Sequence, residues 1–172
     1  MTICALDLAT TTGYASVSHG IVMSGTFKCR QSSKEPWGLC FLRFKRFLRE
    51  WLIQEKPEQL WYEDVRRWSS GDAAKAYCGL RAVMLMECEA HGVEVRGLSV
   101  GTIKKTFAGS GKASKEDMIE AAWRHWKIKT ASHDEADSLG ILFTAIQNNP
   151  CTPPTTQPSK KSSSVTSAAS QA

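Results

Sequence analysis

Residues 2–29 read TICALDLATTTGYASVSHGIVMSGTFKC. The opening TICALDLA is a continuous apolar run broken by a single charge, the pattern of a strand buried on both faces. GYASVSHGIVMSGTFKC, residues 13–29, reads as a β-hairpin that turns near His19-Gly20. Three strands in a meander therefore open the chain. The one charge in the first of them, Asp7, is costly to bury unless paired or bound to metal. Strand alternation sets Asp7 on the face of Ala5 and Ala9, small neighbours that leave room above the sheet. The TTTG that follows, residues 10–13, supplies hydroxyls and a turn.

After the meander, WGLCFLRFKRFLREWLIQE (37–55) places apolar residues at 37, 41, 44, 48 and 51, a helical spacing. EQLWYEDV (58–65) is a second buried strand. DAAKAYCGLRAVMLMECEAHG (72–92) is a helix closed by Gly92, and VEVRGLS (93–99) is a further strand. VGTIKKTFAG (100–109), SKEDMIEAAWRHW (114–126) and SHDEADSLGILFTAIQ (132–147) complete the set as helices, the last two opened by Ser114 and Ser132 as N-caps. This order predicts an α/β fold: a mixed five-stranded sheet flanked by helices, with the first strand central and parallel strands joined to it by right-handed crossovers. From Asn149 onward the chain is Pro- and Ser-rich with no aromatic residue, so it cannot bury enough apolar surface to order itself. The expected organisation is one domain over residues 1–148 and a disordered tail over 149–172.

The 172 residues suffice for one domain with a substantial core. No apolar run approaches the roughly 18 residues of a membrane span, and the N-terminus lacks the basic-then-apolar order of a signal peptide. The expected compartment is the cytoplasm, with no membrane partner. Six cysteines without a Cys-x-x-Cys pair fit reduced thiols and argue against a zinc or disulfide framework. Net charge is +5, which favours a polyanionic partner. Between Lys28 and Lys56 eight basic residues face three acidic ones, and a second basic group, Lys104, Lys105, Lys112 and Lys115, surrounds a Gly-Ser-Gly loop.

Residues 134–137 spell Asp-Glu-Ala-Asp, the four letters of the helicase ATPase motif. That motif belongs at the end of an apolar strand beside a phosphate loop. Here KIKTASH precedes it, the apolar run follows it at helical spacing, and the nearest phosphate-loop candidate, TFAGSGKAS, has Thr106 in place of the first Gly and Ala113 in place of the metal-binding hydroxyl. On a helix, Asp134 and Asp137 share one face and Glu135 points elsewhere. A single Asp there would need no explanation beyond the helix dipole. Two on one face, beside residues suited to burial, call for one. Glu63 ends the apolar strand QLWYEDV as Asp7 ends the first, and alternation separates it from Asp64, which is placed to pair with Arg66 or Arg67. Asp7, Glu63, Asp134 and Asp137 thus make an all-oxygen donor set, suited to magnesium or manganese and not zinc. Two such ions are a standard device for phosphodiester hydrolysis.

LDLATTTGYA, YEDVRR, VGTIKKTFAGSGKASKEDMI and HDEADSLGIL occur in the order seen in RuvC-type Holliday-junction resolvases, and the chain resembles the variety carried by phages. The resemblance covers residues 3–146. It implies a ribonuclease H-like fold, metal-dependent endonuclease activity on branched DNA, two Mg2+ ions per site with Mn2+ as substitute, and a homodimer in the bacterial cytoplasm, that of a phage-infected host included. It assigns catalytic and metal-binding roles to Asp7, Glu63, Asp134 and Asp137. The third position is Asp or His in the family, so His133 stands beside Asp134 as an alternative. It further implies phosphate contacts by Lys112 and Lys115, with Lys104 and Lys105 on the preceding helix. Arg66, Arg67 and Trp68 form a polar loop suited to DNA, with Trp68 as a base-stacking residue. The aromatic residues of the first helix are read as core. The rival readings are a nuclease for flaps, forks or RNA–DNA hybrids, a non-catalytic DNA-binding module on the same fold, and a sugar-kinase-type ATPase, for which the chain is too short.

Overall fold

The computed structural model describes residues 1–65 and 71–149; Arg66, Arg67, Trp68 and the expected tail from residue 150 lie outside the described residues. Five strands form one mixed sheet: β1 (Ile3–Asp7), β2 (Thr11–Ser18), β3 (Ile21–Lys28), β4 (Gln59–Glu63) and β5 (Glu94–Leu98). Their order is β3-β2-β1-β4-β5, so the first strand is central, as its apolar run requires. β2 pairs antiparallel to β1 and to β3, while β4 pairs parallel to β1 and to β5. The hairpin turns at His19-Gly20, both with positive φ (50° and 79°), the geometry of a two-residue turn matched to strand twist.

Alternation along β1 divides the core in two. Ile3 and Ala5 face α3 (Val100–Ala108), α4 (Lys115–Trp126) and α5 (His133–Asn148), packing with Phe107, Met118, Ala122, Ala136 and Leu139. Cys4, Leu6 and Leu8 face α1 (Trp37–Glu55) and α2 (Asp72–Ala90), packing with Phe44, Leu48, Tyr77, Leu80 and Met84. Phe44 and Leu48 are fully buried, and truncating Phe44 to Ala would cost about 3–5 kcal/mol. The buried stripe of α1 runs Cys40, Phe44, Leu48, Trp51 and Leu52, which moves Trp37 and Phe41 to its edge. Phe41 instead fills the space left by Gly79 on α2, where a Cβ would come within 2.1 Å of its ring. Trp37 stacks on Phe41 and carries the Arg30 guanidinium 3.8 Å above its ring centre.

The sequence reading of TTTG needs one revision. The chain bends at Ala9 and Thr10, and Gly13 lies inside β2, opposite Asp7. Glycine is required there for close approach, since a Cβ would stand 1.8 Å from the Asp134 carbonyl oxygen of α5.

Candidate active site

Asp7 is the last residue of β1 and Glu63 the last of β4, so both carboxylates rise from the same end of two adjacent parallel strands. They share a face. Ala5 and Trp61, two residues earlier on each strand, both belong to the core beneath α5. The end of β4 is held from both sides: the Tyr77 hydroxyl donates to the Glu63 carbonyl (3.0 Å), and the Asp64 amide donates to Leu98 of β5 (2.8 Å).

α5 brings the other two carboxylates to this end of the sheet. Ser132 caps it by accepting from the Glu135 amide (3.3 Å). Glu135 points away from Asp134 and Asp137, accepting from Ser24 of β3 (2.7 Å) and from Thr130 (2.6 Å). These bonds and the contact with Gly13 tie the first turn of the helix to β2 and β3. On its opposite side Gly140 lets α5 close against Phe107 and Met118, whose side chains would meet a Cβ at 2.9 and 2.8 Å. Sequence reasoning found the acids but missed these supports. Ser24, Thr130 and Gly13 carry no pattern that would have announced them.

The four carboxylates act on one another. Burial drives the Asp7 carboxyl well above its ordinary range, reinforced by Asp137, Glu63 and Asp134 and opposed by Lys115. Glu63 is pushed up to about 7, by burial first and then by Asp137, with Lys104 opposing. Asp137 and Asp134 are raised chiefly by burial; Lys104 acts most strongly against the first, and Lys115 against the second. His133, the first residue of α5, also lowers both of these aspartates, and its Nδ1 is buried without a hydrogen-bond partner. The gathering is electrostatic: among the described residues no three His, Cys, Asp or Glu side chains form a ready-made ion-binding group.

The basic residues separate into two kinds. Lys104 is half-buried, donates to the Ala113 carbonyl (2.7 Å) and lies near Glu63 and Asp137. Lys115, first residue of α4, is exposed yet acts on three of the acids. Lys105 and Lys112 are exposed and face solvent. The loop between α3 and α4 is shaped by its own bonds: Ala113 donates to Ser110, and Ser114 forms a reciprocal capping box with Asp117.

The donor set fits a divalent cation. Four carboxylates raised above their ordinary range, chiefly by burial, have the all-oxygen chemistry that suits a hard divalent cation. A mixed β3-β2-β1-β4-β5 sheet flanked by helices, with an acidic cluster at the carboxyl ends of adjacent strands, is a ribonuclease H-like fold. No protein-family model matches the chain. It is 32% identical over 94 residues to the crossover junction endodeoxyribonuclease RuvC of Bdellovibrio bacteriovorus, covering 54% of this chain and 56% of that protein. It is 26% identical over 142 residues to the RuvC of Synechococcus sp. WH7803, covering 77% of this chain and 92% of that one. The first match therefore spans little more than half of its relative. In fold, Thermus thermophilus RuvC in complex with Holliday junction substrate superposes with a TM-score of 0.72 at 22% identity, covering 84% of this chain and 92% of that one. In sequence the chain is similar to these RuvC proteins over the stretches matched, and in fold it resembles that of Thermus thermophilus RuvC. Among the described residues no helix is long and apolar enough to cross a membrane.

Proposed function

We propose that this protein is a metal-dependent, structure-selective endodeoxyribonuclease that cleaves four-way DNA junctions. The observation that carries this reading is the convergence of Asp7, Glu63, Asp134 and Asp137, from two strands and one helix, into a single desolvated cluster flanked by lysines. A DNA-binding module without catalysis would gain nothing from burying four mutually repelling acids. The RuvC name of the relatives points to the same chemistry.

Asp7, on which all three other acids act, would hold the divalent ions together with Glu63 and Asp137, two Mg2+ with Mn2+ able to substitute, and Asp134 would hold or orient a further ligand. When bound, the pair supplies activation of water and stabilisation of the leaving oxygen in an in-line displacement. The chain's own groups do the rest. Lys115 and Lys104 draw a phosphodiester toward the acids and offset their charge, while Lys112 and Lys105 reach the flanking backbone. Contacts to phosphate and DNA shape, not to base edges, would set selectivity. A two-fold homodimer would present two such sites to the two-fold symmetric junction.

The test is cleavage of labelled linear, flap, fork, hybrid and four-way substrates in Mg2+. Four-way DNA should be cut preferentially, leaving 5′-phosphate and 3′-hydroxyl ends. A chain that cuts none of the branched substrates, in Mg2+ or Mn2+, is not this enzyme.

A further inference from the structure

Lys28 was conspicuous in the sequence only as one of eight basic residues between 28 and 56. The sheet gives it a position. β3 alternates so that Val22 enters the core beneath α5 and Ser24 donates to Glu135 of α5, which puts Thr26 and Lys28 on that same face. The register then aligns rows across the sheet. Asp7 stands opposite Gly13, Gly13 opposite Thr26, and one row further Thr11 stands opposite Lys28. Lys28 is therefore on the carboxylate face, two strands across and two residues beyond Asp7. At about 4.8 Å per strand and 3.4 Å per residue, the Cα positions are roughly 12 Å apart.

This position lies on the opposite flank of the carboxylates from Lys104, which acts on Glu63 toward the β4 side. Lys28 is exposed and has no acidic partner among the described residues. Its backbone is fixed. Cys29 and Arg30, which follow it, both donate to the Thr10 carbonyl (2.8 and 3.3 Å), and the Thr12 hydroxyl donates to Ala9 (2.8 Å). Thr11, paired with Lys28, stands between it and Asp7 on that face, in the row beyond the one where the first turn of α5 packs on Gly13. An exposed cation without an acidic partner, on a fixed strand end of the site face, suits a polyanion continuing past the reaction centre.

We propose that Lys28 is a second phosphate-binding point on the β3 side of the carboxylate cluster. It holds the DNA backbone a few nucleotides from the cleaved bond. The strand then runs from the α3–α4 lysines across the acids to the β2–β3 edge. The proposal rests on the nuclease reading above and adds a contact that reading does not contain.

The experiment is a salt titration of four-way DNA binding by the full-length protein in Ca2+, read by fluorescence anisotropy. Lys28→Ala should reduce the slope of log affinity against log salt by about one unit. Between 50 and 200 mM salt, wild-type affinity should accordingly fall about threefold more than that of the variant. Lys28→Arg should restore the wild-type slope. Arg46→Ala, on α1 across the sheet, should leave it unchanged. Thermal unfolding of each variant should match the wild type, because Lys28 is exposed. If wild-type protein binds junctions and Lys28→Ala and Lys28→Glu titrate identically to it, this contact is refuted and the nuclease reading stands. If wild-type protein binds no branched DNA, both are refuted.

Discussion

Two buried acidic sites lie on opposite sides of the sheet, and they differ in sign. On the α1–α2 side, the Glu87 carboxylate is buried but receives Arg49 in two hydrogen bonds (3.0 and 3.2 Å), with Lys45 3.7 Å away. The Arg49 bonds hold its carboxyl below the ordinary range. On the α5 side, Asp7 and Glu63 have like charges as close neighbours, and both are driven up. The first acid is satisfied by the protein itself and serves the fold. In the second set Lys115 opposes the charge on Asp7 and Lys104 that on Glu63, and a bound cation would complete it. Burial alone does not distinguish structure from function; the sign of the neighbours does.

The contrast is broken most directly at Asp7. Asp7→Asn should abolish cleavage, by about a thousandfold or more if the metal contribution is several kcal/mol, while junction binding persists. In the absence of divalent ions the same variant should melt higher than wild type at pH 8, because it removes a buried repulsion. A lower melting temperature there would reverse the assignment of Asp7 as a destabilising, functional charge.

Gly13→Ala probes the contact that aims α5. With its Cβ 1.8 Å from the Asp134 carbonyl, it should destabilise the fold by about 1–3 kcal/mol and lower cleavage strongly, since the helix must shift. Denaturant unfolding and initial rates measure the two effects.

Glu87→Gln should do the reverse of Asp7→Asn: lose about 1–2 kcal/mol, a figure reduced for the exposure of Arg49, and leave cleavage within about twofold. Wild-type activity in a destabilised protein would confirm that this charge serves only the fold.

pH separates the two sites further. The Glu87 carboxyl is lowered on folding, so its stabilisation is present above its unfolded pKa and fades as pH falls through the folded value. Glu63 is raised from 4.5 to about 7, so the native state holds the extra proton and stability declines as pH rises between those values. Metal-free melting temperatures should therefore fall on the order of 5 °C from pH 5 to pH 8. Added Mg2+ should recover more of that at pH 8 than at pH 5, where protons compete with it. An equal shift at both pH values would contradict a carboxylate metal site. The smallest effect belongs to the surface: Lys112→Ala with Lys115→Ala should weaken junction binding and reduce its salt slope by about two units without loss of Mg2+-dependent stabilisation.

Much of this protein was legible in its order of residues. Apolar runs ending in Asp7 and Glu63, the His19-Gly20 turn and the Ser114 and Ser132 caps are local signals, each set by backbone and side-chain chemistry within a few residues. They suffice to give the strands, the central place of β1, the helices and the acids that the fold gathers. Other features are not local. That Gly13 makes room for the Asp134 carbonyl, that Glu135 anchors α5 through Ser24, and that Lys28 stands in the row beyond Asp7 depend on contacts across 121, 111 and 21 positions of chain. Alternation and helical period determine which way a residue faces within its own element. Only the packing of elements determines what it faces, because that choice is made by close fit and charge between segments with no sequence relation to each other.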